Sequence, residues 1–233
     1  MQSKFIITLL RVSIAIRFFF MRNKMFIRPT RIIAVPSTKD TTRNIHCNLH
    51  EPSNYDSNAG PLPVHINIHG SGFVLSLIGS DSRNIAPWAD ELGCIVVDAD
   101  YSKAPEYPFP AGCDDILDIV AYFHSKPNLY DSKRITIGGF SAGGTLAFAT
   151  ALSLPGAFRA IIAFYPLCDL TQPYVEPPKP LGTNPGAPLG KSFQVALRTA
   201  YLTPGLSLRN PRISPLHGAL ENLPPSLIIV SLS

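Results

Sequence analysis

Short apolar runs alternate along this chain with longer stretches in which apolar residues recur at helical spacing. Five runs are rich in β-branched residues and short, as buried strands of a parallel sheet are: Val64–His69, Cys94–Asp98, Ile135–Gly138, Arg159–Tyr165 and Leu227–Val230. Two earlier runs predict a pair of antiparallel strands, at Arg31–Val35 and Asn44–Leu49. Helical patterns lie at Asp81–Leu92, Asp114–His124, Ala142–Leu154 and Lys191–Leu202. This alternation predicts an α/β fold with a mainly parallel central sheet and helices on both faces.

Composition limits the function classes. Of the 233 residues, 45% are hydrophobic and 15% are charged, which excludes a disordered chain and suits one large domain. The net charge of +4 is uneven, because residues 1–39 carry eight basic side chains and no acidic one. We therefore separate a basic, apolar arm or cap helix (residues 1–28) from a globular domain (residues 29–233). The domain has no basic face, so we expect no nucleic-acid partner.

The arm is apolar but is interrupted by Arg11 and Arg17. This makes it too short and too charged for a spanning helix or a secretory signal. Three interpretations remain: a helix docked on the domain, an interfacial helix in weak contact with a membrane surface, or an organelle presequence. The four cysteines are scattered without a C-x-x-C motif, which predicts buried reduced thiols, a cytoplasmic protein and no metal site.

Residues 171–225 differ from the rest, since they contain 11 of the 23 prolines. They are too poor in core residues for a separate domain. We interpret them as a cap-like excursion between two strands, able to arch over a site, although a passive surface loop is the alternative.

One motif carries chemistry. The segment Gly139-Phe140-Ser141-Ala142-Gly143 is G-x-S-x-G, and it lies between a predicted strand and a predicted helix. A nucleophilic serine needs such a sharp turn, where side chains at Gly139 and Gly143 would collide with the flanking backbone. The N–H groups of the following helix would face an anion formed at the serine. A plain glycine-rich turn is the alternative.

A second glycine loop, His69-Gly70-Ser71-Gly72-Phe73, follows the predicted strand at Val64–His69. Glycines let backbone N–H groups approach an oxyanion closely, and losing one such donor costs roughly 3–4 kcal/mol. We expect His69 to hold this loop in place rather than to act as the catalytic base.

These motifs resemble the hormone-sensitive-lipase-like branch of the α/β-hydrolases, the fold-3 group of carboxylesterases and lipases. The loop HGSGF is similar to that family's HGGGF, and Asp98–Ala111 is similar to its D-x-x-Y-R-L-A-P-E-x-P-x-P-A signature, with Asp115 where the family has a further acid. Arg212–Leu216 and Leu223–Pro225 resemble its R-I-S-P-L and L-P-P segments. The match runs from about residue 30 to residue 230.

The resemblance implies a carboxylic ester as substrate and no cofactor or metal. The roles it implies are Ser141 as nucleophile, the N–H groups of Ser71, Gly72 and Ala142 as oxyanion hole, His69 and Gly70 as loop-orienting residues, and Glu106 as a buried partner for backbone near the site. Ser71 replaces the family's middle glycine, so a positive φ there would cost about 1 kcal/mol.

A catalytic serine also needs an acid and a histidine, which follow it in this fold. The resemblance places the acid after the Leu227–Val230 strand and the histidine after one further strand, so we expect a C-terminally truncated member without the last strand and helix. Downstream of Ser141 the sequence offers only His217, interpreted as a solvated loop residue, and Asp169, a candidate substitute acid. We expect an esterase or lipase-like hydrolase, and we expect the esterase activity of a polypeptide of these residues to be strongly impaired. The alternative is a non-catalytic ligand-binding protein, as the related plant gibberellin receptors illustrate.

Overall fold

The computed structural model of the chain describes residues 7–13, 16, 26–56, 60–172 and 191–230. Its strands are β1 (Arg31–Pro36), β2 (Asn44–His50), β3 (Leu62–Ile68), β4 (Ile95–Ala99), β5 (Tyr130–Phe140), β6 (Ile161–Phe164) and β7 (Ser226–Ile229). They form one sheet in the order β1-β2-β4-β3-β5-β6-β7. The pairs β1–β2 and β2–β4 are antiparallel, and the other four pairs are parallel. Every apolar run predicted as a strand is one, and the mainly parallel α/β fold is confirmed.

The helices are α1 (7–13), α2 (Ser82–Ile85), α3 (Pro87–Leu92), α4 (Ala111–His124), α5 (Ala142–Ser153) and α6 (Lys191–Tyr201). Short 3-10 turns lie at Pro215–His217 and Leu220–Asn222. The single helix predicted over Asp81–Leu92 is wrong, because Pro87 opens a new helix there. Proline has no N–H for the helical hydrogen bond and its ring crowds the preceding turn.

Helices cover both faces of the sheet. Along β4, Val97 joins the large core cluster with Ile116 of α4 and Leu146 of α5, whereas its neighbour Val96 joins a smaller cluster with Ile85 of α2. Successive strand residues point to opposite faces, so α4 and α5 lie on one face and α2 and α3 on the other. Ten of the twelve residues of α5 are buried, as expected for a helix that is apolar on all sides.

The described part of the arm is docked on the domain. Ile7 is fully buried, and Arg11 donates hydrogen bonds to the carbonyl oxygens of Val74 at 2.8 Å and Ala104 at 2.7 Å. Arg11 also pairs with Glu106 at 2.8 Å. The buried role expected for Glu106 is wrong, because its side chain is 56% exposed and faces α1. Within the described residues no helix is both long and apolar enough to cross a membrane.

Part of the cap-like excursion lies over the loop that follows β3. Residues 173–190, like most of residues 1–25, are outside the described part. The Tyr201 ring of α6 stacks on Phe73 with centroids 3.9 Å apart, and the Tyr201 carbonyl accepts a hydrogen bond from Phe109 N at 2.9 Å. A Cβ on Gly72 would lie 2.6 Å from Leu197 Cδ1. The described C-terminal half of the excursion therefore packs directly on the candidate site.

The sheet ends at β7 with apolar side chains exposed on both faces. Leu227, Ile228, Ile229 and Val230 are 39–58% exposed. An exposed, apolar edge strand with free backbone groups is a template for pairing with another chain.

We expect a polypeptide of residues 1–233 to self-associate through this edge. Ile228→Lys should shift it toward monomer in sedimentation velocity, because a charge opposes edge pairing. The matched control is Ile32→Lys on the opposite edge strand β1, where Ile32 is 63% exposed, and it should change nothing. A concentration-independent monomer for the unsubstituted polypeptide would refute this expectation.

Candidate active site

Ser141 occupies the turn between β5 and α5 in a backbone conformation that L-residues rarely adopt. Its φ is 51° and its ψ is −118°. Such conformations cost on the order of 1–3 kcal/mol and persist where the surroundings impose them. The Ser141 N–H donates to the Phe164 carbonyl at 2.9 Å, and its own carbonyl accepts from the Thr145 N–H at 3.1 Å. The serine is therefore fixed by β6 on one side and by the first turn of α5 on the other, and it is only half-buried.

The glycines on either side of the serine are required by close packing against β3. A Cβ on Gly143 would lie 1.9 Å from the Ile68 carbonyl oxygen, and a Cβ on Gly139 would lie 2.3 Å from the same atom. Gly139 would also meet the Gly143 carbonyl carbon at 2.7 Å. Any side chain at either position would push the turn away from β3.

The loop after β3 lies beside this turn. In the parallel β3–β5 ladder Ile68 pairs with Gly139, so His69 and Gly70 continue next to the serine turn. A Cβ on Gly70 would lie 3.0 Å from the Phe140 carbonyl oxygen. The loop's positive φ angles are at Gly72 (57°) and Phe73 (66°). Ser71 is not among the described non-glycine residues with positive φ, so the strain considered for it does not arise.

The Ser71 hydroxyl stabilises the loop through buried hydrogen bonds. It is buried, hydrogen-bonds the Tyr101 hydroxyl and accepts from the Phe73 N–H at 3.0 Å. The Tyr101 hydroxyl in turn donates to the His69 carbonyl at 3.2 Å. This chain of bonds ties both ends of the loop to the segment after β4.

The His69 ring is fully buried, with Nδ1 at 3.2 Å from the Gly70 carbonyl oxygen. Its Nε2 lies 3.7 Å from Asp100 Oδ1, which is beyond hydrogen-bond distance. Burial lowers the pKa of His69 to about 4, so the ring is neutral at pH 7. Both ring nitrogens face groups other than Ser141, an arrangement that suits holding the loop rather than removing a proton from the serine.

A buried carboxylate cluster behind the loop was missed by the sequence reasoning. Asp98, at 0% exposure, accepts from the Gly79 N–H at 2.6 Å and from Asn67 Nδ2 at 3.4 Å. Asp81 lies against Asn67 and the Gly70 N–H. Burial raises the pKa of Asp98 to about 7 and the pKa of Asp81 to about 6. The available signal was the polar residues Asn67 and Asp98 inside two strands made mostly of apolar residues.

Asp169 and His217 lie together but not at the serine. His217 Nε2 is 3.4 Å from Asp169 Oδ1, and Asp169 accepts its close hydrogen bonds from Thr171, at 2.8 Å from N. The residue after His217 packs on Leu152. Leu152 lies three helical turns beyond Ser141, about 16 Å along α5 at the standard helical rise. The described residues thus place this histidine beside the far end of α5.

Three of the four cysteines are buried, and Cys168 is half-buried. Burial raises the pKa of Cys94 and of Cys113 to about 11, and it also raises the pKa of Cys47 and Cys168, so all four thiols are protonated at pH 7. Among the described residues, no three His, Cys, Asp or Glu side chains are grouped in a way that could hold a metal ion.

Gly143→Ala should destabilise the fold by about 2–4 kcal/mol, because its methyl group would overlap the Ile68 carbonyl. The matched control is Gly93→Ala. Gly93 has a φ of 58° with nothing within 4 Å of its Cβ position, so only the left-handed backbone cost of about 1–2 kcal/mol applies. Urea unfolding measures both, and equal losses would show that the contact with β3 does not constrain the turn.

Asp98→Asn should alter the pH dependence of stability. A folded pKa of about 7, above the unfolded value, gives a stabilising contribution that is lost as pH rises through 7. Relative to the Asn variant, the unsubstituted protein should therefore lose about 2 kcal/mol of unfolding free energy between pH 5 and pH 8. Asp90→Asn is the control, since hydrogen bonds from Ser53 lower the pKa of the exposed Asp90. A parallel pH profile for Asp98→Asn would contradict the assignment.

Comparison with curated proteins finds esterases and lipases. The chain is 31% identical to an esterase of Acinetobacter venetianus over 74% of this chain and 57% of that protein. It is 29% identical to the esterase LipI of Mycobacterium tuberculosis over 72% of this chain and 54% of that protein. It is 34% identical to human hormone-sensitive lipase over 48% of this chain and 11% of that protein. The chain spans about half the length of the first curated relatives it matches.

The fold is shared with solved esterases. A thermostable carboxylesterase from a metagenomic library superposes with a TM-score of 0.78 at 23% identity, over 94% of this chain and 75% of that one. A Pyrobaculum calidifontis esterase superposes with a TM-score of 0.77 at 23% identity, over 95% of this chain and 73% of that one. At 23% sequence identity, this structural similarity establishes the fold of the chain.

The resemblance found in the glycine loops is confirmed at the level of the family. Residues 65–232 match the family model described as α/β hydrolase fold. This stretch holds both glycine loops, the end of β3, all of β4 to β7 and the candidate site residues. Esterases and hormone-sensitive lipase are among its relatives, and the chain belongs to the α/β-hydrolase family.

Proposed function

We propose that Ser141 is the nucleophile of a carboxylic-ester hydrolase. The observation that carries this proposal is the strained φ of 51° at Ser141, in a turn packed against the loop after β3. Nonglycine residues in such conformations concentrate at active sites. The relatives named esterases support the ester as substrate class.

The proposed chemistry begins with addition of Ser141 Oγ to the acyl carbon. The former carbonyl oxygen becomes negative, and the N–H groups of Ser71, Gly72 and Ala142 are proposed to bind it as the oxyanion hole. The alcohol leaves with a proton, and water then hydrolyses the acyl-enzyme. Ala142 starts α5, so its N–H also lies at the positive end of that helix.

The serine needs a base for this reaction, and the described histidines offer none beside it. One ring nitrogen of each of His65, His69 and His217 lies against Thr136, Gly70 and Asp169 respectively. We therefore propose that a polypeptide of residues 1–233 turns over esters slowly. Loss of a triad member lowers turnover on the order of 10⁴–10⁶-fold.

The ligand pocket is proposed to include α6. Leu197 lies against Gly72, whose N–H is proposed to bind the oxyanion. An acyl chain that extends from the oxyanion position would therefore contact α6 first. The N-terminal arm approaches from the other side of the loop through Arg11. Weak contact of residues 1–28 with a membrane surface remains a separate proposal.

A second candidate function is ligand binding without turnover. The half-buried Ser141 and the absence of a histidine partner for it among the described residues favour it. The two functions differ in whether the serine forms a covalent bond.

A fluorophosphonate probe separates them. We expect slow labelling on the peptide that contains Ser141, detected by mass spectrometry, because phosphonates trap even a weakly activated serine. Ser141→Ala should lose the label, and Ser153→Ala, an exposed serine at the end of the same helix, should keep it. Thermal stabilisation by short-chain esters without any label on Ser141 would favour binding alone and contradict the nucleophile.

A further inference from the structure

A cavity of about 550 Å³ opens beside the candidate site, and Ser141 is not among its lining residues. This volume is in the range of small-molecule pockets. Part of its wall is apolar and is formed by residues of three loop segments: Phe26, Leu75, Leu77, Ile78 and Tyr107. The cavity therefore suits a small ligand with an apolar body, independently of the serine.

One primary amine lines this cavity. Lys103 is 7% exposed, its Nζ lies 3.2 Å from Asp100 Oδ1, and it also donates to the Tyr101 carbonyl. The same Nζ lies 3.5 Å above the centre of the Tyr101 ring. The family signature has leucine at this position, so the amine is a departure of this sequence from that signature.

The charges around the cavity are paired. Arg11 pairs with Glu106 at 2.8 Å, and Lys103 pairs with Asp100 at 3.2 Å. The third lining cation, Arg43, pairs with Asp115 at 2.5 Å. Among the described lining residues no cation is left over for an anionic ligand, so this part of the wall favours a neutral one.

Burial favours the neutral form of the Lys103 amine. Burial lowers the pKa of Lys103 to about 8, against the raising effect of nearby carboxylates. The titratable and charged groups around it come from five elements and their adjoining loops: Asp98, Asp100 and Tyr101 at the end of β4, Asp115 of α4, His69 after β3, Arg43 before β2, and Arg11 of α1. Lysines in apolar pockets become nucleophiles toward carbonyl compounds because their neutral form is populated.

We propose that Lys103 is a carbonyl-reactive amine that binds small neutral aldehydes with an apolar body as imines in this cavity. The cavity supplies the apolar wall for the aldehyde chain, and Lys103 lines it with Nζ beside the Asp100 carboxylate. The site is separate from Ser141 and does not depend on ester hydrolysis.

The reaction is balanced without a further reactant. The neutral amine adds to the aldehyde carbon, so a C–N bond forms and the carbonyl π bond breaks. One N–H proton passes to the former carbonyl oxygen, with Asp100 placed 3.2 Å away to relay it. Loss of that hydroxyl group as water, with the second N–H proton, leaves the imine.

Hexanal with sodium cyanoborohydride tests the proposal, because the reductant traps the imine as a stable secondary amine. Peptide mass spectrometry compares the adduct on Lys103 with that on the exposed Lys133 in one sample of unsubstituted protein. At pH 7 we expect Lys103 to react at least about tenfold faster, since a pKa near 8 leaves far more neutral amine than an ordinary lysine has. Its rate should level off above pH 8, and glyoxylate, a charged aldehyde, should label it more slowly than hexanal.

Two variants serve as controls. Lys103→Arg should lose the fast phase while Lys133 labelling is unchanged, and Ser141→Ala should keep the fast phase. Labelling of Lys103 no faster than Lys133, or a rate on Lys103 that keeps rising above pH 10, would overturn the proposal. This comparison needs only the unsubstituted protein, so it stands even where Lys103→Arg does not fold.

Discussion

The site depends on one backbone contact, in which the carbonyl of Ile68 at the end of β3 packs between Gly139 and Gly143. There is no room for a side chain at either position, so the chain must turn between them, and Ser141 takes the positive φ of that turn. The parallel β3–β5 register brings the two elements to this distance. The contact therefore fixes both the serine and the start of the loop that faces it.

Groups without a proposed catalytic role then hold the loop after β3 in place. Ser71 and Tyr101 tie it to the segment after β4, and the neutral His69 fills the space beneath it. Asp81 and Asn67 support it from below. Because these groups are buried and hydrogen-bonded, they rigidify the loop, and Leu197 and Tyr201 of α6 pack over it. Preorganised amides facing a fixed serine are what acyl transfer requires.

The sequence predicted what depends on local pattern and missed what depends on packing between distant segments. β-branched runs were sufficient for the sheet, the G-x-S-x-G context for the serine turn, and the HGSGF loop with the Asp98–Ala111 signature for the family. The break at Pro87 could have been predicted, because proline opens a helix more readily than it continues one. The exposure of Glu106 could not, since it follows from where Arg11 docks, more than ninety residues away. The pairing of Asp169 with His217, and the position of Lys103 in a cavity, likewise depend on the three-dimensional arrangement.

The most direct measurement is a crystal structure of the protein after long incubation with an alkyl phosphonate ester. The account predicts an adduct on Ser141 Oγ, a positive φ at Ser141, and a phosphoryl oxygen within about 3 Å of the Gly72 and Ala142 nitrogens. A Ser141 with negative φ, or an adduct whose oxygen points away from these two amides, would contradict it.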